Sequence, residues 1–210
     1  MFIFGLIPKP TLAGERAAYI VECVYQGIYL VLLIFFVRFD IFSYAIGIQR
    51  TPITFGKLIG VSVFSHFYLT PLIFALSAAW TLLLTFINGI GFHISLEQQE
   101  LLLLLEANPP LVWAIPVIFT AVAVAPACEE LLFRGGIYRF LKGKISPIPA
   151  SLLTGAIFAL LHWNWNAFLP LFFLSVFLTH LYECEGSLHA PIIVHGLLNA
   201  NSIVLALLQG

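Results

Sequence analysis

The sequence predicts an all-α protein, a polytopic membrane helix bundle of about six transmembrane helices plus a short interfacial helix. Three observations predict it. Of the 210 residues, 61% are hydrophobic and 9% are charged, whereas soluble domains carry roughly 25% charge. Mean hydropathy is +1.03, more apolar surface than a soluble core of this size can hide. The apolar residues also fall into runs that match a hydrocarbon core about 30 Å thick. The net charge of −1 leaves no basic footprint for a nucleic acid. Cys23, Cys128 and Cys184 are odd in number and widely spaced, which suggests neither a disulfide framework nor a thiolate zinc site.

Residues 1–16 carry Pro8 and Pro10 and are expected at an interface. They lack the basic n-region and small-residue cleavage site of a signal peptide. The first span is expected at about Ala17–Val37, with Glu22 near the membrane edge. Residues 38–57, with Arg38, Asp40, Arg50 and Lys57, read as a loop. The second span, about Leu58–Ile87, contains Pro71, which should kink it, and His66, read as a packed, hydrogen-bonded histidine. The stretch from Leu96 to Glu106 is acidic, amphipathic and too short to span, so it reads as the interfacial helix.

The third span starts near Leu111 and runs into Pro126-Ala-Cys-Glu-Glu-Leu-Leu-Phe-Arg134. Pro126 removes a backbone hydrogen bond, so irregularity is expected there. Gly135-Gly136 and a basic turn with Arg139, Lys142 and Lys144 follow. A short fourth span is expected at about Ala150–Trp163, a fifth at Ala167–Tyr182 and a last at Leu188–Leu208. The Lys/Arg bias places both basic loops on the cytoplasmic side.

Chemistry is concentrated in the second half. Glu129 and Glu130 are adjacent, and Arg134 follows Glu130 by four residues. Phe158 and His162 are four apart on the next span, and His195 and Asn199 are four apart on the last. A spacing of four puts each pair on one helix face. Ionisable groups at the centre of a span cost at least about 2.5–3.5 kcal/mol each, so they face the bundle interior or a water-filled cavity. Singly, each has an ordinary reading: an ion pair, an interfacial histidine, an interhelical hydrogen bond. Together they read as one shared cavity lined by two carboxylates, two imidazoles and an amide.

Glu-Glu-x-x-x-Arg, Phe-x-x-x-His and His-x-x-x-Asn, in this order on successive helices, resemble the CPBP intramembrane proteases over about residues 110 to 205. That family includes the CAAX prenyl endopeptidases of the Ras-converting type and bacterial relatives linked to bacteriocin processing and immunity. The resemblance divides the chain into an N-terminal membrane region (1–109, two spans and the interfacial helix) and a catalytic helical core (110–210).

The resemblance implies an intramembrane endopeptidase acting on a membrane-associated, in some members prenylated, protein or peptide. Membrane lipid is its surroundings and a bacterial cell membrane its expected location. Glu129 would be the catalytic glutamate, polarising a water together with His162. His195 and Asn199 would stabilise the oxyanion, and Glu130, Arg134 and Phe158 would support the site. No cofactor is favoured. Zinc is the alternative, with Glu129, His162 and His195 as its ligands and water in the fourth position. The sequence contains no His-Glu-x-x-His that would demand it. Two other functions fit the same residues: a catalytically idle membrane peptide-binding or immunity protein, and an ion transporter built on the same Glu and His groups.

One expectation concerns depth. At 1.5 Å per residue, Glu129 lies about 20 Å along its helix from Lys142, while His195 lies only about 10 Å from the start of its span. Straight helices of equal depth would not align these groups.

Overall fold

The computed structural model describes residues 54–96 and 110–209, together with the helical positions Gly27, Ile28, Val31, Leu102 and Leu105. Among these, every regular element is helical. The order is α1 (Phe55–Gly89), α2 (Leu111–Phe119), a π-helical segment π1 (Thr120–Val124), α3 (Ala125–Glu130), a second π segment π2 (Leu131–Tyr138), α4 (Arg139–Lys142), α5 (Pro147–Leu161), α6 (Trp165–Glu185) and α7 (His189–Gln209). The expected first span at 17–37, most of the loop at 38–57 and nearly all of the interfacial helix lie outside the described residues.

Four of the described helical stretches are long and apolar enough to cross a membrane: Phe55–Gly89, Ala114–Lys142, Trp165–Glu185 and His189–Leu208. Helix α5 has 15 residues and extends about 22 Å at 1.5 Å per residue, short of a full hydrocarbon core. Phe64, Phe67, Tyr68, Leu82 and Phe86 on α1, and Ile115 and Phe119 on the next stretch, are exposed. Such a surface would drive aggregation in water and is the lipid-facing side of a bundle. The fold is an all-α polytopic bundle.

The element boundaries follow local chemistry. Thr54 caps α1, its side chain accepting from the Lys57 N–H at 3.4 Å. Lys57 therefore lies in the first helical turn rather than in a loop. Helix α1 passes through Pro71 without ending. Its far end is closed by Asn88, whose amide both donates to and accepts from the backbone of Ile94 at 2.8 Å. His66 is a bonded histidine, as its surroundings suggested: the Asn201 amide of α7 donates to its Nε2 at 3.2 Å.

Gly135-Gly136 does not end the third span. The helix runs through both glycines, inside π2, and stops at Lys142. Among apolar neighbours every backbone group must be satisfied within the segment, so continuing the helix costs less than opening a loop at the glycines.

Ion pairs fix the register at one end of the bundle. Lys57 at the start of α1 lies 3.1 Å from Glu185 at the end of α6. Lys142 at the end of α4 pairs with Glu183. At the other end, Trp80 Nε1 donates to the Trp165 carbonyl at 2.7 Å, and the Thr81 hydroxyl donates to Asn166 at 2.8 Å. Trp163 and Trp165 are exposed at this end, as in an aromatic interfacial belt.

Two of the buried clusters among the described residues flank the site. Leu69 of α1 packs with Leu174, Leu178 and Leu181 of α6 and with Ala190, Val194 and Leu198 of α7. Leu131 and Tyr138 of π2 pack with Ala150, Tyr182 and Leu188. Lipid tails are as apolar as leucine, so close approach rather than water exclusion must hold such helices together, and small residues permit it. Gly155 of α5 meets α6 so closely that a Cβ there would lie 3.2 Å from the Phe172 carbonyl oxygen.

The closest approach is at Gly196 of α7, and its origin is Pro126. Proline has no N–H to offer the carbonyls of Val122 and Ala121, four and five residues earlier. The preceding turn is π1, with Ala125 donating back to Thr120. Asn199 takes up the Ala121 carbonyl, donating from Nδ2 at 2.8 Å. The Val122 carbonyl points at Gly196, where a Cβ would lie 2.3 Å from its oxygen. Gly196 and Asn199 thus dock α7 onto the turn that Pro126 disturbs. In an unconstrained helix Gly→Ala gains about 1 kcal/mol. Here the obstacle is backbone, which cannot rotate away, and overpacking costs about 1–3 kcal/mol or more. Gly196→Ala is therefore expected to lower the thermal midpoint in detergent. A midpoint equal to or above wild type would show that α7 does not sit this close to π1.

Candidate active site

The Glu-Glu turn sits in α3, a six-residue α-helical segment between two π segments. Such π insertions inside α-helices are rare and frequent at functional sites, because the wider turn re-aims side chains. The two neighbouring carboxylates are treated differently. The Glu130 side chain is fully buried, and its Oε1 accepts from Arg134 Nη1 at 2.9 Å and from His195 Nδ1 at 2.9 Å. The Glu129 side chain retains 17% exposure, with Oε2 3.7 Å from His195 Nε2. One carboxylate is consumed by the fold, and the other keeps access.

Arg134 is also fully buried. Its second nitrogen, Nη2, donates to the carbonyl and the hydroxyl of Ser175 on α6, at 2.7 and 2.9 Å. Its guanidinium carbon lies 5.4 Å from the centre of the Phe158 ring. Phe158, with no exposed surface, stands at the middle of the group. Its ring centroid is 4.6 Å from that of His162, 5.9 Å from that of His195 and 4.9 Å from that of Phe133.

The two histidines are held in defined forms. His162 caps the C-terminus of α5, and its Nδ1 lies 2.7 Å from the Phe158 carbonyl oxygen. A carbonyl only accepts, so Nδ1 carries the proton and, in the neutral ring, Nε2 is left as an acceptor. Trp163 follows with φ of +50°, a left-handed conformation that a bulky residue adopts at a cost. Strain of this kind clusters at functional sites, and here it turns the chain directly after His162. The bond from His195 Nδ1 to Glu130 likewise assigns the proton to Nδ1 and turns Nε2 towards Glu129. Glu129 and His195 are both within electrostatic range of the His162 imidazole.

The structure therefore brings Glu129, Glu130, Arg134, Phe158, His162 and His195 into one group. Asn199 lies one turn from His195, with one of its amide hydrogens committed to Ala121. The depth conflict is resolved by where α7 begins. Ser187 and Leu188 are already buried, and Leu188 packs at the level of Leu131, Tyr138 and Tyr182. Helix α7 thus starts inside the bundle, and the wide turns of π2 shorten the path from Glu130 to Lys142.

The zinc alternative needs three donors converging on one point. Among the described residues, no three His, Cys, Asp or Glu side chains are grouped to hold a metal ion. His195 Nδ1 is bonded to Glu130, and the Phe158 ring packs against both His162 and His195. Both histidines hold Nδ1 in a hydrogen bond, to Glu130 and to the Phe158 carbonyl, so Nε2 is the ring nitrogen each would offer to a water or a metal. Ser175, Gly196 and Phe133 were not singled out from the sequence, because a serine, a glycine and a phenylalanine are ordinary residues of apolar helices.

Comparison with known proteins bears on the same region. Residues 111–201 match the family described as type II CAAX prenyl endopeptidase Rce1-like. The chain is also 28% identical over 136 residues to the membrane-embedded CAAX protease MroQ of Staphylococcus aureus (strain USA300), an alignment covering 61% of this chain and 52% of the relative. The chain thus spans about half the length of that relative. No solved structure matches it. By this match, and by the three motifs it contains in order, the region 111–201 is similar to the CAAX prenyl endopeptidase type of intramembrane protease.

Proposed function

We propose that this protein is an intramembrane endopeptidase that hydrolyses a peptide bond of a membrane-associated protein or peptide, using water activated by Glu129 and no metal. The observation that carries the reading is the unequal fate of two adjacent glutamates. Glu130 is buried and spent on Arg134 and His195, while Glu129 is accessible beside the His195 imidazole. A merely structural Glu-Glu pair has no reason to leave one carboxylate free within an apolar bundle.

The steps follow from the groups present. Glu129 and the bare Nε2 of His162 orient a water molecule. As its oxygen attacks the scissile carbonyl carbon, Glu129 takes its proton and the carbonyl electron pair moves to oxygen. Donors aimed at that oxygen stabilise the tetrahedral intermediate. His195 can donate there from Nε2 when its ring is doubly protonated, and Asn199 can donate with its second amide hydrogen. Collapse expels the amine, which receives the proton from Glu129. The relative's name as a CAAX protease points to a prenylated C-terminal tail as the first substrate to try. The staphylococcal relative points to a bacterial cell membrane as the location.

Cleavage of a quenched-fluorescence farnesylated CAAX peptide, and of an unprenylated membrane peptide, by protein in detergent micelles tests this. Glu129→Gln is expected to reduce turnover about 10²–10⁴-fold, the range for a general base, with the thermal midpoint nearly unchanged. Turnover at the wild-type rate by Glu129→Gln would remove the proposal. Glu130→Ala should act mainly on stability, because it leaves Arg134 buried without its partner, a loss of about 3–5 kcal/mol. A folded, wild-type-stable Glu130→Ala protein would contradict that division of roles. A chelator such as 1,10-phenanthroline is expected to leave the rate unchanged. Loss of activity that added zinc restores would reinstate the metal.

A further inference from the structure

Ser175 lies in the middle of α6, outside all three motifs, and is completely buried. Hydroxyls in apolar helices usually bond back to the carbonyl four residues earlier. Thr154 and Thr179 do so here, to Ala150 and to Ser175 itself, at 2.8 and 2.9 Å. The Ser175 oxygen instead accepts from Arg134 Nη2, as does the Ser175 carbonyl. We propose that Ser175 is a positioning residue of this site, fixing the plane of Arg134 and, through Arg134 and Glu130, the ring of His195.

The geometry supports each link. A guanidinium is rigid and planar, with its donors in a fixed fork. Two acceptors on Nη2 hold that plane where one would leave it free to turn. With the plane held, Nη1 has a single direction for its N–H, and the acceptor in that direction is Glu130 Oε1 at 2.9 Å. The same oxygen accepts from His195 Nδ1 at 2.9 Å, which places Nε2 of that ring 3.7 Å from Glu129 Oε2. Stacking of Arg134 over Phe158 alone limits tilt but not rotation in the plane of the ring. Removing the hydroxyl leaves Nη2 of Arg134 with the carbonyl only. The Glu130 carboxylate can then turn, and His195 loses the bond that assigns its proton to Nδ1.

This rests on the endopeptidase reading only for its kinetic arm. The direct test is the ¹⁵N spectrum of histidine-labelled full-length protein in micelles at pH 8. The chain has six histidines, and the His195 signals are assigned by their disappearance in His195→Gln. Wild type should show Nδ1 protonated and Nε2 bare at His195. Ser175→Ala should show a mixture of the two tautomers, and Ser175→Thr, which retains a hydroxyl, should return the wild-type pattern. Ser175→Cys, which keeps an atom at the γ position but is a weaker acceptor, should behave like Ser175→Ala, so a defect from an empty γ position can be told apart.

On the same samples the farnesylated peptide should show kcat about tenfold lower in Ser175→Ala, with KM within about twofold and recovery in Ser175→Thr, since small misplacements of catalytic groups act on turnover. An unchanged His195 spectrum in folded Ser175→Ala and Ser175→Cys overturns the proposal. If wild type cleaves neither the farnesylated nor the unprenylated peptide while the spectrum responds to Ser175, the endopeptidase reading falls and the positioning role stands.

Discussion

The buried ion pair between Glu130 and Arg134 is the constraint on which the rest depends. Both side chains have no exposure, and removing a charge from water costs several kcal/mol even after relaxation. Such a pair persists only where other groups complete its hydrogen bonding. Here the completion comes from other helices: Ser175 on α6 takes two bonds from Arg134, and His195 on α7 gives one to Glu130. The pair therefore fixes the relative positions of three helices. In a membrane, where the hydrophobic effect does not draw helices together, a polar knot of this kind supplies position as well as binding energy.

A second constraint acts from the other side of the same turn. Pro126 leaves the Ala121 and Val122 carbonyls without their usual donors, and α7 answers with Asn199 and with the absence of a side chain at Gly196. His195, between these contacts and the ion pair, has its ring held by Glu130 and its backbone held by its neighbours. The site is pinned through main-chain contacts and through charge at once. This is how a helical bundle can hold buried polar groups in fixed geometry without loops.

Much of this was legible in the sequence, and what was not has a physical reason. Hydropathy located the helices of the second half to within a few residues, because the bilayer allows little else. Glu129, Glu130, Arg134, His162 and His195 could be grouped because polar residues in apolar helices must face inward. Gly135-Gly136 carried no clear signal, since glycine breaks helices in water but not where an open backbone has nothing to bond. The π segments were foreshadowed by Pro126 alone. The depth of α7 was hidden because it depends on Leu188 being drawn among Tyr138 and Tyr182, a tertiary contact with no local signature. Ser175 and Gly196 were invisible for a similar reason: each matters through one atom, or one missing atom, facing a particular neighbour.

The pair of glutamates shows how a fold makes two identical residues chemically different. Two ionised carboxylates directed at one site repel, and one of them would protonate. Adjacent residues on a helix point about 100° apart, given 3.6 residues per turn, so the backbone itself separates them. Arg134, one turn after Glu130, then decides which is neutralised. His195 spans the division, with one ring nitrogen on the spent carboxylate and the other facing the accessible one. A proton on Nδ1 is thus tied to the structural half of the site, which leaves Nε2 to respond to whatever happens at Glu129. The imidazole is the link by which the rigid ion pair can bear on the accessible carboxylate, and the precision of that link is set by how firmly Arg134 is held from α6.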